Sequence, residues 1–233
     1  AYLLWDVEPD RDLDDPAGAL SALAGARDVV AVGAFAGPAL RQVATVLLPL
    51  AAWPETEGTF HNLEGRRFDV RPAGKAPGEA RPGWKILRRL GGICELPGFD
   101  QVSLAEVQAA MPEERPAVDA AVPTLTPPAA VEGLHRIGEV PMYSVDALCR
   151  RAEPLQQSVH ARSDFIGLNP TDGEALGLAD GDLARVDQGG DAVELTVRLD
   201  TIVPAGAAWV RAATGSAVML GPATGPITVA RAD

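Results

Sequence analysis

The stretch that decides the fold of this chain is residues 29–49, which read VVAVGAFAGPALRQVATVLLP. The apolar run Val29–Gly33 has the length and composition of a strand that is covered on both faces. Pro38 favours a helix that continues through Ala44, and we expect the next apolar run, Val46–Pro49, to be a third buried segment. Strands and helices that alternate in this way are typical of right-handed βαβ units on a parallel sheet.

The residues before this stretch extend the same pattern toward the N-terminus. Tyr2–Trp5 is a strand-like run, and Asp15 followed by Pro16 marks the start of a helix. The sequence therefore predicts an α/β half-domain over residues 1–110, built on a partial, Rossmann-like parallel sheet.

The rest of this half-domain is more polar. Residues 55–67 have glycines but no periodicity, which predicts a structured loop. We expect a helix over 82–90 that ends at the pair Gly91 and Gly92. A last short helix over 103–110 begins with Ser103 and has a glutamate three residues later, the spacing of a capping box.

Two further regions complete the chain. Residues 111–135 are rich in proline without periodicity, which predicts an extended linker. Residues 136–233 contain several short strand patterns around one helix, Thr171 to Leu176. The run Val193–Leu199 alternates apolar and polar residues, and Asp180-Gly181 and Gly189-Gly190 are turn signals. The sequence thus predicts a small barrel in the last third of the chain.

Composition and charge exclude several classes of function. The 233 residues include 20 Lys and Arg against 32 Asp and Glu, a net charge of −12, which disfavours a nucleic-acid-binding protein. Cys94 and Cys149 lie far apart without a C-x-x-C motif, so they predict neither a disulfide framework nor an iron–sulfur cluster. The first residues lack the features of a secretory signal, so we expect a cytoplasmic setting.

Few residues have the spacing that catalysis needs. His61, His135 and His160 are too widely separated in sequence to indicate a metal site. Residues 33–37 follow a strand and precede a helix, so their amides could hold a phosphate, but an ordinary βα turn is the favoured interpretation.

A cluster of carboxylates lies in the loop after the third strand. Glu55 and Glu57 could form an acid–base pair, yet the sequence offers no nucleophile or metal for them to serve, so we favour a structural role. Gly58 is expected to have a positive φ that reverses the chain. The predicted structural loop comprises Glu55, Glu57, Gly58, Asn62, Glu64, Gly65 and Arg66.

Residues 46–66, VLLPLAAWPETEGTFHNLEGR, closely resemble a segment of the molybdopterin oxidoreductase superfamily. Within that superfamily, residues 78–87 (GEARPGWKIL) and 136–151 (RIGEVPMYSVDALCRR) are similar to the large iron–sulfur subunit of bacterial NADH–quinone oxidoreductase, or complex I. The region 169–210 resembles the double-psi β-barrel that binds molybdopterin dinucleotide in related proteins.

The resemblance carries expectations about cofactors. It implies that the iron–sulfur clusters lie in a preceding part of the subunit, outside these residues. Molybdenum enzymes of the superfamily have a segment rich in His, Thr and Gly before the barrel, whereas residues 155–158 read LQQS. We therefore expect no molybdopterin and no metal. The remaining weak candidates for cofactor contact are Gly33, Gly37, Asn169 and Asp172.

The expected function is that of a cluster-free C-terminal scaffold in the complex I subunit, without catalytic residues of its own. It would contact the N-terminal part of that subunit and other peripheral-arm subunits on the cytoplasmic face of the inner membrane. One alternative is the C-terminal part of an active molybdopterin oxidoreductase such as a formate dehydrogenase. A second is a free-standing barrel that binds a small molecule.

Overall fold

The chain folds into a parallel α/β sheet followed by a closed β-barrel. This architecture is taken from a computed structural model that describes residues 1–111, 132–161, 164–189, 191–215 and 217–232. The predicted fold class, α/β plus a barrel, is confirmed. The predicted linker lies mostly outside the described residues, and the first barrel strand begins at Leu134, so the domain boundaries stay predictions.

The elements of the first region are β1 (Tyr2–Trp5), α1 (Pro16–Ala24), β2 (Val29–Gly33), α2 (Pro38–Val43) and β3 (Val46–Pro49). Its sheet contains the three parallel strands in the order β1-β2-β3. Strand β2 is central, and Val29, Ala31 and Val32 on it are buried, as predicted.

The prediction that the third apolar run is buried was wrong. Strand β3 lies at the edge of the sheet among the described residues, and Val46 and Leu47 are 45% and 41% exposed. The sequence shows that these residues are apolar, but it cannot show whether a neighbouring element covers them.

The segment predicted as a loop is a β-hairpin. Strands β4 (Gly58–His61) and β5 (Arg67–Val70) pair antiparallel. Asn62 closes the turn because its Oδ1 accepts a 2.8 Å hydrogen bond from the Arg66 amide. The positive φ of this segment belongs to Gly65, at +79°, and not to Gly58, which lies within β4.

Helix α3 (Gly83–Ile93) does not end at the glycine pair as predicted. Gly91 is buried in the helix, where a Cβ atom would lie 2.2 Å from Cγ of Phe99. The missing side chain therefore lets the Phe99 ring pack directly on the helix backbone. The following helix, α4 (Leu104–Ala109), has the predicted cap, since Ser103 Oγ accepts from the Glu106 amide at 3.3 Å.

The last part of the chain forms a closed six-stranded barrel. The strands are β6 (Leu134–Ile137), β7 (Phe165–Leu168), β8 (Leu183–Asp187), β9 (Val193–Leu199), β10 (Ala207–Trp209) and β11 (Thr224–Arg231). Around the barrel they follow the order β10-β6-β11-β8-β9-β7, and the pairs β6·β10 and β7·β9 are parallel. Helix α5 (Glu153–Gln156) precedes β7, and α6 (Pro170–Leu176) follows it.

The barrel interior is the largest hydrophobic core of the described chain. Leu195 and Val197 of β9 point inward and are buried, while Glu194, Thr196 and Arg198 are exposed, which confirms the predicted alternation. Further core residues are Ile166, Leu168, Ala184, Val186, Ala208, Val210 and Leu220. Within the described residues, no helix is long and apolar enough to span a membrane.

The contact between Gly91 and Phe99 predicts opposite effects for two neighbouring substitutions. Gly91→Ala should lower the free energy of unfolding by about 1–3 kcal/mol, because the new methyl group overlaps the Phe99 ring. Gly92→Ala is the matched control, since its Cβ meets no atom within 4 Å and alanine favours the helix by up to about 1 kcal/mol. Urea denaturation of both variants checks this, and equal midpoints would contradict the packing described.

Candidate functional site

A cleft of about 350 Å³ lies where the loops after β1 and β2 meet the connection between the barrel strands β6 and β7. The carboxyl ends of parallel strands are the usual place for ligand sites in α/β sheets, so this cleft is the first candidate. It is lined by Glu8, Asp10, Arg11, Gly37, Pro38, Ser144, Arg150, Arg151, Gln156, Ala161, Ala213, Thr214 and Gly215.

Glu8 is the buried acid of the cleft, with 7% of its surface exposed. The loop after β1 folds around it, because its backbone amide donates to Asp12 Oδ2 at 2.7 Å. Its backbone carbonyl accepts from the amides of Arg11 and Asp12, both at 2.8 Å. This local turn directs the side chain away from the sheet and toward residues of the later segment.

Arg150 binds two acids of the first loop. Its Nε donates to Glu8 Oε2 at 3.0 Å, and its Nη2 donates to Asp12 Oδ1 at 2.8 Å. Its third nitrogen, Nη1, donates to the carbonyl of Ser144 at 2.8 Å. Arg150 therefore joins residues that are about 140 positions apart in sequence.

Arg151 completes the cluster from the other side of the carboxylate. Its Nη1 donates to Glu8 Oε2 at 3.0 Å and also to the carbonyl of Ala147 at 3.0 Å, while its Nη2 forms a hydrogen bond with Glu8 Oε1. The guanidinium also lies over the Phe35 ring, with its carbon 4.3 Å from the ring centroid, a cation–π contact.

The two arginines stabilise the charged form of the Glu8 carboxylate. Burial raises the pKa of Glu8, but the hydrogen bonds and positive charges of Arg151 and Arg150 outweigh burial, so the pKa of Glu8 lies below its usual range. The hydrogen bond with Glu8 raises the pKa of Arg151. Glu8 is therefore ionised at neutral pH and acts as the anion that holds two cations, not as a proton donor.

A buried arginine, Arg136, organises the barrel loops beside the cleft. Arg136 on β6 is 1% exposed, and its Nε donates to the carbonyl of Val210 at 3.2 Å. Its Nη1 donates to Gln188 Oε1 at 3.0 Å and to the carbonyl of Pro222 at 3.0 Å. Burial lowers the pKa of Arg136, while Asp14 raises it. One guanidinium thus ties three separate barrel segments together.

The predicted phosphate segment lies at the cleft but faces the protein's own carboxylates. Asp6 Oδ1 accepts from the amide of Ala34 at 3.3 Å. A Cβ atom on Gly37 would lie 3.3 Å from Glu8 Oε1. Gly33 is the last residue of β2, and Gly37 precedes the six-residue helix α2. An anion at this turn would therefore meet negative charge.

The other two weak cofactor candidates stabilise barrel connections. Asn169 caps α6 through its Oδ1, which accepts from the Thr171 amide at 3.0 Å, and its Nδ2 donates to the carbonyl of Val203 at 2.9 Å. Asp172 Oδ2 accepts from the amide of Gly206 at 2.8 Å. Both side chains have protein partners.

The predicted structural loop does not line the cleft. Glu55 Oε2 accepts from the Ala52 amide at 3.1 Å. Glu64 is highly exposed, and its Oε2 lies 3.8 Å from Nη2 of Arg66 in an ion pair. Glu55 and Glu57 line a different, shallow cavity beside Lys75. Exposed pairs of this kind contribute about 0–1 kcal/mol to stability.

The described residues contain no group of three or more His, Cys, Asp or Glu side chains placed to hold a metal ion. Cys94 is exposed and Cys149 is half-buried, and both are free thiols. Burial raises the pKa of Cys149, and the hydrogen bond with Asp146 raises it further. Cys149 is therefore a poor nucleophile at neutral pH.

The cluster of Glu8 with the two arginines is not predicted by the sequence. Glu8 lies in a turn without periodicity, and Arg150 and Arg151 stand out in the sequence only within the segment that resembles complex I. The signal that could have identified them is a pair of adjacent arginines in an acidic chain, between the first two strands of the barrel.

Comparison with known proteins gives a family match for one part of the chain. Residues 15–93 match the molybdopterin oxidoreductase family. This segment contains the hairpin and α3, and it supports the superfamily resemblance seen in the sequence. The family match does not extend over the barrel, whose identification rests on its fold.

Curated relatives of two kinds match short segments of the chain. The F420-dependent formate dehydrogenase 2 subunit alpha of Methanococcus maripaludis is 43% identical over 65 residues, 27% of this chain and 10% of that protein. The mitochondrial NADH-ubiquinone oxidoreductase 78 kDa subunit of Neurospora crassa is 42% identical over 79 residues, 33% of this chain and 10% of the relative. These matches thus span a tenth of the relatives' length.

A solved structure shows that the same fold extends over most of the chain. Acetylene hydratase from Pelobacter acetylenicus aligns with 94% of this chain and 40% of its own, with a TM-score of 0.64 and 16% identity. At this identity the likeness concerns the fold alone.

The cluster predicts that Glu8→Gln destabilises the protein by about 3 kcal/mol at neutral pH, because Arg151 loses its carboxylate partner and Arg150 keeps only Asp12. Glu64→Gln is the matched control, for which we expect less than about 1 kcal/mol. Because the pKa of Glu8 is lowered in the folded protein, its contribution is complete above its ordinary pKa of 4.5 and is lost as the pH falls further.

Chemical denaturation of wild type and both variants between neutral and acidic pH measures this. The difference between wild type and Glu8→Gln should shrink below pH 4.5. A difference that is small at neutral pH, or that grows on acidification, would contradict the assignment.

Proposed function

We propose that the chain is a cluster-free scaffold within a large iron–sulfur subunit of a complex I-type NADH–quinone oxidoreductase. Its part is to hold the barrel against the sheet and to contact the N-terminal part of the subunit and neighbouring peripheral-arm subunits. In the assembled enzyme it would lie on the cytoplasmic face of the inner membrane. The whole enzyme, and not this chain, transfers electrons from NADH to quinone.

The observation that carries this proposal is the ion cluster in the cleft. The two arginines of the cluster pair with acids of the first loop, Arg150 with Glu8 and Asp12 and Arg151 with Glu8. The neighbouring Arg11, also in the cleft, pairs with Asp10 at 3.1 Å. A pterin dinucleotide needs free donors for its phosphates, and these donors already bind carboxylates and backbone carbonyls. The residues present therefore do not fit molybdopterin, and the arrangement favours a structural role.

The relatives named as NADH-ubiquinone oxidoreductase subunits support the same proposal. Besides the protein from Neurospora crassa, the 75 kDa subunit of Reclinomonas americana is 43% identical over 51 residues, 22% of this chain and 7% of the relative. The formate dehydrogenase relatives favour the competing proposal, the C-terminal part of an active molybdenum enzyme. The two proposals differ in the metal that the complete protein contains.

The test uses the complete protein that contains this chain, purified with its partner subunits. We expect iron but no stoichiometric molybdenum by inductively coupled plasma mass spectrometry. We also expect Glu8→Gln to lower the yield of assembled enzyme while leaving NADH–quinone turnover per assembled enzyme unchanged, with Glu64→Gln as the control. Molybdenum near one atom per chain, together with formate oxidation, would refute the scaffold proposal.

The second alternative, a free-standing barrel module, has its own test. The described structure ties the barrel to the first part of the chain through the carbonyl of Asp14, which accepts from the Ala223 amide at 3.2 Å, and through the Glu8 cluster. We expect residues 132–233 alone to unfold at lower urea than the full chain. A barrel fragment that is monomeric and equally stable would favour the module.

A further inference from the structure

An apolar groove of about 290 Å³ lies between β3 and α3, away from the cleft described above. Leu48 and Pro49 come from the strand, and Ile86, Leu90 and Ile93 come from one side of the helix. The helical residues follow the i, i+4, i+7 spacing that places side chains along one stripe. The groove therefore presents a continuous apolar floor.

The described part of the chain covers this floor only in part, since Leu48, Ile86 and Leu90 are half-buried. Ile93 is 63% exposed, and Val46, on the same face of β3 as Leu48, is also exposed. Exposed apolar surface that continues beyond the cavity is typical of a protein contact, because a small ligand would leave much of it in water. The occupant that fits is an extended element with its own apolar stripe.

Basic side chains flank the groove. Arg81, Lys85 and Arg89 line it, against a single acid, Glu79. None of the three cations forms an ion pair with a carboxylate of the described residues, although the chain carries a net charge of −12. Arg81 is oriented by its Nη1, which donates to the carbonyl of Ala80 at 3.0 Å. The rim is thus complementary to negative charge.

The opposite side of α3 is already in use. Gly91 contacts Phe99, and Trp84 and Leu87 border a separate cavity beside α4. The two sides of the helix therefore have different roles: one packs within the chain, and the other, with Leu90 and Arg89, is available to a partner.

We propose that this groove docks an amphipathic helix of another polypeptide segment. The apolar stripe of that helix covers Leu90 and Ile93, and Asp or Glu residues on its flanks pair with Lys85 and Arg89. In helix-in-groove binding the docked helix presents its anchors at i, i+3, i+4 and i+7, and the apolar stripe on α3 gives those anchors a surface to pack on. A second copy of this chain is a poor occupant, because two acidic chains repel. The proposal rests on the groove alone and does not depend on the proposed function.

The test is a selection with a displayed library of amphipathic helices whose flanking positions are randomised, against the full chain. We expect Asp and Glu to be enriched at the flanks. The selected peptide, resynthesised and measured by fluorescence anisotropy, should bind Lys85→Glu/Arg89→Glu at least about tenfold more weakly, and its affinity should fall with added salt. Ile93→Ser should also weaken binding.

The matched control is Arg66→Glu/Arg67→Glu, the same charge change on the exposed hairpin, which should leave the affinity unchanged. Circular dichroism confirms that each variant is folded. No enrichment, enrichment without acidic flanks, or equal binding to Lys85→Glu/Arg89→Glu would each overturn the proposal. Two other results would also overturn the proposal. One is saturable binding of decanoate in the groove without any peptide binding, and the other is a salt-dependent dimer of the chain, seen by sedimentation, that buries the groove.

Discussion

The buried carboxylate of Glu8 is the constraint on which the relation between the two parts of this protein depends. A carboxylate at 7% exposure is costly unless positive groups surround it. Arg150 and Arg151 supply those groups from the connection between β6 and β7, directly before α5, so satisfying one charge fixes this barrel connection against the loop after β1. The carbonyls of Ser144 and Ala147 then orient the arginines.

The same physical problem is solved differently inside the barrel. Among the described residues, Arg136 has no carboxylate as a hydrogen-bond partner, and carbonyl and amide oxygens of loops 188, 210–211 and 221–222 surround it instead. Its guanidinium therefore fixes loop conformations that a purely apolar residue would leave free. These loops continue to Ala213 and Thr214, which line the cleft, so the two buried arginine sites form one connected framework.

This framework is the physical basis of the proposed scaffold role. Sheet ends and barrel loops meet at a cleft, the geometry in which α/β proteins commonly bind cofactors. Here the charged side chains of the cleft bind each other across the two parts. The interactions that could recognise a ligand are thereby used to hold the fold together, which is the basis of the proposed role.

The sequence by itself determined most of the regular elements and the fold class. Apolar runs of strand length, Pro16 and Pro38 at helix starts, the Ser103 cap and the alternation along Val193–Leu199 are local signals, and the structure confirms each of them. Local signals suffice because they reflect hydrogen bonding and side-chain periodicity within a few residues.

Only the tertiary structure decided which residues meet across the chain. The hairpin over 58–70 depends on pairing between two polar strands, and the extension of α3 through Gly91 depends on Phe99. The exposure of β3 depends on which neighbour is present. The cluster of Glu8 with Arg150 joins residues about 140 positions apart. No periodicity in the sequence encodes such a contact, because it depends on burial and on charge balance between distant segments.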